Sequence, residues 1–285
     1  MNRIEEIPEF NYRVPWRSHS AHPGHHFSTQ SGGGYEFHGH APLLSKPDPR
    51  HLDIHASLND PFEQLIVRTF RQRSTIPVSV VADLSASMGY RGKADKMELL
   101  ALFTAAVAYS AYRRGDPFGF IGCNTTIDEG TFLPLRWYKG IAWDLLNRLH
   151  RLHPSGASAQ GLHTAIDRLG RRRALVFLVS DFHFPLTELA SLLDSLSRHD
   201  VVPIVLWDSM EYQLLPDWGI IRLQDPETGQ ERVLLMRPGL RTRFRELFAQ
   251  RRSALTQLCM QHGREPFFMV DTFDPDALTR YFFHA

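Results

Sequence analysis

The residues whose types and spacing could do chemistry cluster in Val78–Lys93, VSVVADLSASMGYRGK. A run of small apolar and β-branched residues ends at Asp83, and Ser85 and Ser87 follow at alternate positions. Asp and Ser are poor strand formers, so three oxygen-bearing side chains in such a row need a reason. One reason is capping, because Asp and Ser are favoured at helix N-termini; a purely structural scaffold needs nothing more. The other is ligation. The stretch ALVFLVSD repeats the pattern, an apolar run ending at Asp181, and Ser155-Gly156-Ala157-Ser158 offers a further hydroxyl, Ser158, just before a predicted helix. Two carboxylates and three hydroxyls are hard oxygen donors. That set suits Mg²⁺ or Mn²⁺, with waters completing the shell, and Ca²⁺ is a further alternative.

The surrounding elements must bring these residues together. Continuous apolar strands are predicted at IPVSVVAD, PFGFIGCN, ALVFLVSD, VVPIVLW and PFFMVD, with TFLPLR as a short edge strand. Between them the spacing predicts a long helix opened by Asp95, with Lys96-Met97-Glu98 in its first turns and apolar residues on nearly all faces. Further helices are expected over about 141–150, after the Gly156 loop, over about 185–197, over about 240–262 and at the C-terminus. Strands that are apolar throughout and alternate with helices indicate a doubly wound α/β fold with a mainly parallel sheet flanked by helices. In such sheets ligands bind at the carboxyl ends of the strands, where Asp83 and Asp181 both lie. The expected organisation is an irregular, loop-rich N-terminal arm and lead-in helix over 1–72, the helix read from Phe62, Leu65, Ile66, Thr69 and Phe70. An α/β domain over 73–285 follows, with a hairpin insertion near 208–236 turning at Asp225-Pro226-Glu227-Thr228-Gly229.

Composition narrows the function classes. The chain has 285 residues, 43% hydrophobic, enough for a sizeable core. Lys+Arg (32) and Asp+Glu (31) nearly cancel, so the basic footprint of a nucleic-acid binder is absent. Cys123 and Cys259 stand far apart in apolar surroundings and read as free thiols of a reducing compartment. The most apolar window, residues 99–112, is too short to span a bilayer, and MNRIEEIPEF lacks a secretory pattern. A cytoplasmic protein without membrane insertion is expected. Six histidines (His19, His22, His25, His26, His38, His40) enrich the arm, but their spacing matches no fixed metal site.

Enzyme signatures are sparse. There is no P-loop and no G-x-G-x-x-G, and no glycine pair frames Ser85 or Ser87 as a nucleophile elbow. If Asp83 were a phosphate-accepting nucleophile of the haloacid dehalogenase type, an acidic residue would stand two positions on, where Ser85 is. His183 is the nearest candidate general base for a metal-assisted hydrolase. A binding module, not an enzyme, is expected.

Asp83-Leu84-Ser85-Ala86-Ser87 resembles the D-x-S-x-S signature of von Willebrand factor A domains, Rossmann-like domains whose metal-ion-dependent adhesion site holds a divalent cation. The resemblance implies Ser158 in place of that site's usual Thr, and Asp181 as its later strand-end Asp. It extends further. Gly33-Gly34-Tyr35-Glu36-Phe37, Asp48 to Asp53, Leu65 to Phe70, Leu215-Pro216 and Asp225 to Gly229 look like the bacterial family called domain of unknown function 58. Asp53-Ile54 stands where that family has Asp-Trp, and the Arg-rich stretch after it is thin. The resemblance implies a partner carboxylate, from Asp or Glu, bound at the metal. It also implies a MoxR-type AAA+ ATPase as a working partner in maturing or activating other proteins.

Overall fold

The computed structural model describes residues 7–18, 20, 23–45, 48–156, 158, 160–212, 216–224 and 230–284. The chain forms two compact units, one of residues 13–76 and one of the N-terminal segment to Tyr12 together with 77–285.

The smaller unit corrects the sequence expectation. No lead-in helix forms at 62–70. Instead β1 (Pro23–Pro42) pairs antiparallel with β2 (Ile66–Ser74), and a short helix, α1 (Ile54–Leu58), lies between them in sequence. The β-branched Ile66, Val67 and Thr69 favour an extended chain, and Val67 and Thr69 are buried while Arg68 between them is exposed, a period of two. Phe62, which suggested the helical repeat, is 78% exposed and packs on no core. The glycines and histidines hide β1 from a periodicity search, and its register shifts at several points. The N-terminal region is irregular outside this ribbon. Asp53 caps α1 through the Ala56 N–H (3.1 Å) and accepts from Arg68 Nε (2.7 Å). Those bonds hold its carboxyl well below the usual carboxylate range.

The larger unit is the expected doubly wound α/β domain. Its six strands are β3 (Val78–Asp83), β4 (Phe118–Cys123), β5 (Leu133–Arg136), β6 (Leu175–Ser180), β7 (Asp200–Trp207) and β10 (Phe267–Val270). They lie in the order β10-β7-β6-β3-β4-β5, all parallel except the edge strand β5. The connecting helices are α2 (Lys96–Arg114), α3 (Ile141–His150), α4 (Gly161–Arg168), α5 (Leu186–Ser195), α6 (Pro238–Gln261) and α7 (Pro275–His284). Strands β8 (Gly219–Gln224) and β9 (Glu231–Met236) form a separate antiparallel pair. The expected turn at 225–229 lies outside the described residues.

Two apolar layers sandwich the sheet. Val81, Ile121, Val176 and Leu178 pack with Leu162 of α4, Leu192 of α5 and Leu255 of α6 on one face. On the other, Phe177 meets Phe103 of α2, Phe282 of α7 and Phe10 of the N-terminal segment. Cys123 and Cys259 are free and buried, and burial pushes both thiols up to about 12. Among the described residues, no helix is long and apolar enough to cross a membrane.

Candidate functional site

The chain leaves the sheet for one side after β3 and for the other after β6, so the topological switch point falls between these two neighbours. In their parallel register Ala82 pairs with Val179, which sets Asp83 opposite Ser180 and Asp181 one step beyond. The two strand-end carboxylates therefore converge. The Ser180 hydroxyl donates to Asp83 Oδ2 (2.8 Å), and the Ser85 N–H donates to Asp83 Oδ1 (2.9 Å). Ser85 and Ser87 bracket the start of a single 3-10 turn (Ala86–Gly89), with their hydroxyls 3.2 Å apart. No side chain caps this turn: Ser85 is its N-cap but makes no side-chain capping bond. The capping explanation of these hydroxyls is thus not what the geometry shows at Ser85.

Asp83 is 1% exposed. Burial first, and the charge of Asp181 second, push its carboxyl up to about 6. Asp181 is equally buried, but the Lys96 ammonium (3.1 Å) and nearby His183 outweigh the effect of burial and hold its carboxyl low. Its turn is firmly fixed. Trp207 Nε1 donates to the Asp181 carbonyl (2.9 Å), and Arg251 of α6 donates to the carbonyls of Phe182 and Phe184. Phe182 adopts φ 51°, left-handed backbone that a non-glycine residue holds only when its surroundings enforce it.

Ser158 is positioned by its loop. Gly161 opens α4 so close to the β4–β5 connection that an added Cβ would lie 2.5 Å from the Asn124 carbonyl oxygen. The Ala86 N–H donates to the Gly156 carbonyl and the Ser155 N–H to the Leu84 carbonyl, both at 3.1 Å. The loop is thus tied to the Asp83–Ser87 segment. The Ser158 hydroxyl itself accepts from the Gln160 N–H (3.1 Å), and no described contact joins it to Ser85 or Ser87. Asp83, Ser85, Ser87 and Asp181 come together; Ser158 stands on the adjoining loop. The His183 N–H donates to Asp181 Oδ1 (3.3 Å), while its ring lies parallel to Trp207 at 6.2 Å and edge-on to Phe248.

Two residues of this cluster were not singled out from sequence. Lys96 is 1% exposed, and its ammonium donates to Asp181 Oδ2 (3.1 Å) and Glu211 Oε1 (2.8 Å). Glu211 is itself fixed by the Asp208 N–H in a capping box. A signal for Lys96 existed. A lysine in the first turn of a helix that is apolar on nearly every side opposes the helix dipole, a weak sign that nearby carboxylates offset it. Glu211, in a loop, carried no comparable sign.

The donor chemistry fits a hard divalent cation. Each Asp83 oxygen keeps a lone pair beyond the bond it accepts, and both serine hydroxyls can still accept. Among the described residues, no group of three or more His, Cys, Asp and Glu is arranged to hold a metal, so such a site depends on the serines.

The chain is similar to several proteins described as uncharacterized. It is 38% identical over 98 residues to an uncharacterized protein in a moxR 3′ region of Paracoccus denitrificans, covering 34% of this chain and 93% of that one. It is 30% identical over 180 residues to an uncharacterized protein of Mycobacterium bovis, covering 61% of this chain and about half (56%) of that relative's length. Among solved structures, the conserved hypothetical protein BatB of Bacteroides thetaiotaomicron aligns with a TM-score of 0.44 at 9% identity, over 73% of this chain and 98% of that one. At that distance the fold assignment rests on the sheet order itself. The sequence profile described as "Protein of unknown function DUF58" matches residues 54–254, more than half of the chain, and the protein belongs to the DUF58 family.

Proposed function

We propose that this chain is a non-enzymatic, divalent-cation-dependent protein-binding module of the von Willebrand factor A type. Mg²⁺ is the proposed ion, with Mn²⁺ or Ca²⁺ as alternatives, held by Asp83, Ser85, Ser87, Ser158 and Asp181. The observation that carries this reading is Asp83. It is a buried carboxylate pushed up to about 6 by burial and by Asp181, and two serine hydroxyls adjoin it. A buried group so burdened favours a cation beside it.

A bound dication supplies an electrophilic centre for an anionic oxygen. The chain's own residues do the rest. Ser180 and the Ser85 N–H orient Asp83, Trp207 and Arg251 fix the turn that carries Asp181, and the serine hydroxyls offer neutral donors. Neutral donors leave the cation attractive to an Asp or Glu carboxylate on a partner protein. Cation and partner then bind cooperatively by linkage. The proposed working partner is a MoxR-type AAA+ ATPase, in the maturation or activation of other proteins; support comes from the Paracoccus relative, named for a moxR 3′ region. The proposed setting is the cytoplasm, where Cys123 and Cys259 stay reduced.

Lys96 favours a second reading, a scaffold with a vestigial site, because its ammonium already pairs with Asp181. Against it, among the described residues Asp83 receives no ion pair, only hydrogen bonds from Ser85 and Ser180. A hydrolase has less support, since the His183 ring lies on Trp207 and not against the serines.

The test is a pull-down from native lysate with tagged wild type and Asp83→Ala, each with Mg²⁺ and with EDTA, read by mass spectrometry. A partner retained only by wild type with Mg²⁺ is expected, with Ser85→Ala weakened likewise. Equal retention in all four conditions would favour the scaffold.

A further inference from the structure

Lys96 is more than a neutraliser of one aspartate. Its ammonium is buried at the N-terminus of α2, where the helix dipole disfavours a cation. Burying a charge there is costly unless it is paired, and the fold supplies two partners, Asp181 at 3.1 Å and Glu211 at 2.8 Å. The Tyr90 ring flanks it at 5.6 Å. Glu211 is in turn locked by its capping box, so the ammonium has little freedom to leave. Three carboxylates (Asp83, Asp181, Glu211) and one ammonium share this end of the sheet. Arg251 and Asp208, one of each sign, stand next around them, and the His183 ring, counted as neutral, lies with its Nε2 3.9 Å from Glu211 Oε1.

That balance determines what the site can accept. The inner group carries two negative charges, which a divalent cation would cancel. Without Lys96 the loaded site would stay net negative and repel a carboxylate. With Glu211 uncharged it would be net positive and attract one. We propose, building on the adhesion-site reading, that Lys96 sets the charge of the cation-loaded site, keeping it neutral so that an acidic side chain of a partner protein can bind. Lys96 does not touch the ligand; it acts through Asp181 and Glu211 as a specificity-determining residue. It weakens cation binding and, in exchange, admits the anion.

The test uses the full chain and two probes, Mn²⁺ and acetate. Manganese affinity is read by electron paramagnetic resonance. Acetate binding is read as the loss of water-proton relaxivity when it displaces manganese-bound water. Lys96→Met should bind Mn²⁺ about tenfold more tightly or better, the size expected of one unit charge a few ångströms away, and lose the acetate response. Glu211→Gln should shift both in the opposite direction. Lys96→Arg, which keeps the charge, should behave as wild type. If Lys96→Met fails to fold, Glu211→Gln and Lys96→Arg still decide. Wild type that binds Mn²⁺ alongside variants that shift together, or not at all, would overturn this inference alone. Wild type that binds no Mn²⁺ would overturn the adhesion-site reading, and this inference with it.

Discussion

Asp83 is the residue on which the site turns, and its burden is measurable without any ligand. Its carboxyl is raised from an ordinary 3.8 to about 6. Between those values the folded chain holds a proton that the unfolded chain has released. Stability therefore falls as pH rises through that window and stays reduced above it. Asp83→Asn removes the ionised form while keeping the shape. In EDTA near neutral pH this variant is expected to be more stable than wild type, by about 3 kcal/mol from the size of the shift. The gain should shrink as pH is lowered towards the ordinary carboxylate value. Urea denaturation at several pH values checks this, and a variant no more stable than wild type at neutral pH would show that the carboxylate is not under strain. The convergence of Asp83 and Asp181 was legible because strand ends expose chemistry: an apolar run that stops at Asp is conspicuous. Lys96 was harder to see. Its neighbours in sequence form an ordinary helix start, and its partners Asp181 and Glu211 lie far along the chain.

At the scale of elements, placement follows from strand register and from close backbone approach. The parallel pairing of β3 with β6 sets Asp83 opposite Ser180, and no longer-range adjustment is needed. The Ser158 loop depends on Gly161, whose missing Cβ lets α4 start against the backbone at Asn124 and Thr126. Gly161→Ala is expected to push these segments apart and cost about 1–3 kcal/mol, the usual penalty for overpacking. A shift in the urea midpoint tests it. If Ser158 holds the ion, the same variant should also bind Mn²⁺ more weakly. The strands and helices of the α/β unit were readable because each is long and strongly patterned. The β1–β2 ribbon was not. Val67 and Thr69 carry a strand period, but Phe62 and Leu65 next to them imitate a helical repeat while lying exposed. Local spacing could not tell a repeat that packs from one that does not.

For the whole molecule, the chain contributes to the α/β unit twice, first through the segment ending at Tyr12 and again from Pro77 onward. The segment is structural. The Tyr12 hydroxyl donates to Asp116 (2.5 Å), the Phe10 N–H donates to the Ser110 hydroxyl (3.0 Å), and the Phe10 ring stacks on Phe282 and meets Phe177 edge-on. Burial and Asp116 hold the Tyr12 phenol well above its ordinary value, so it stays a donor. Phe10→Ala is expected to cost about 3–5 kcal/mol, as for other buried phenylalanines, with a matching loss in thermal unfolding. A near-neutral result would mean that the segment does not belong to this core. Nothing in IPEFNYRV announces that role, because a lone aromatic pair has no period. Its partners on α2 and α7 are about 100 residues or more away.

The most direct test of the central claim is diffraction from crystals soaked in Mn²⁺, recorded at a wavelength where manganese scatters anomalously. An anomalous peak beside the Ser85 and Ser87 hydroxyls, next to Asp83 and Asp181 and absent in Asp83→Ala, is the predicted result. No peak there, or one that persists in Asp83→Ala, would contradict it.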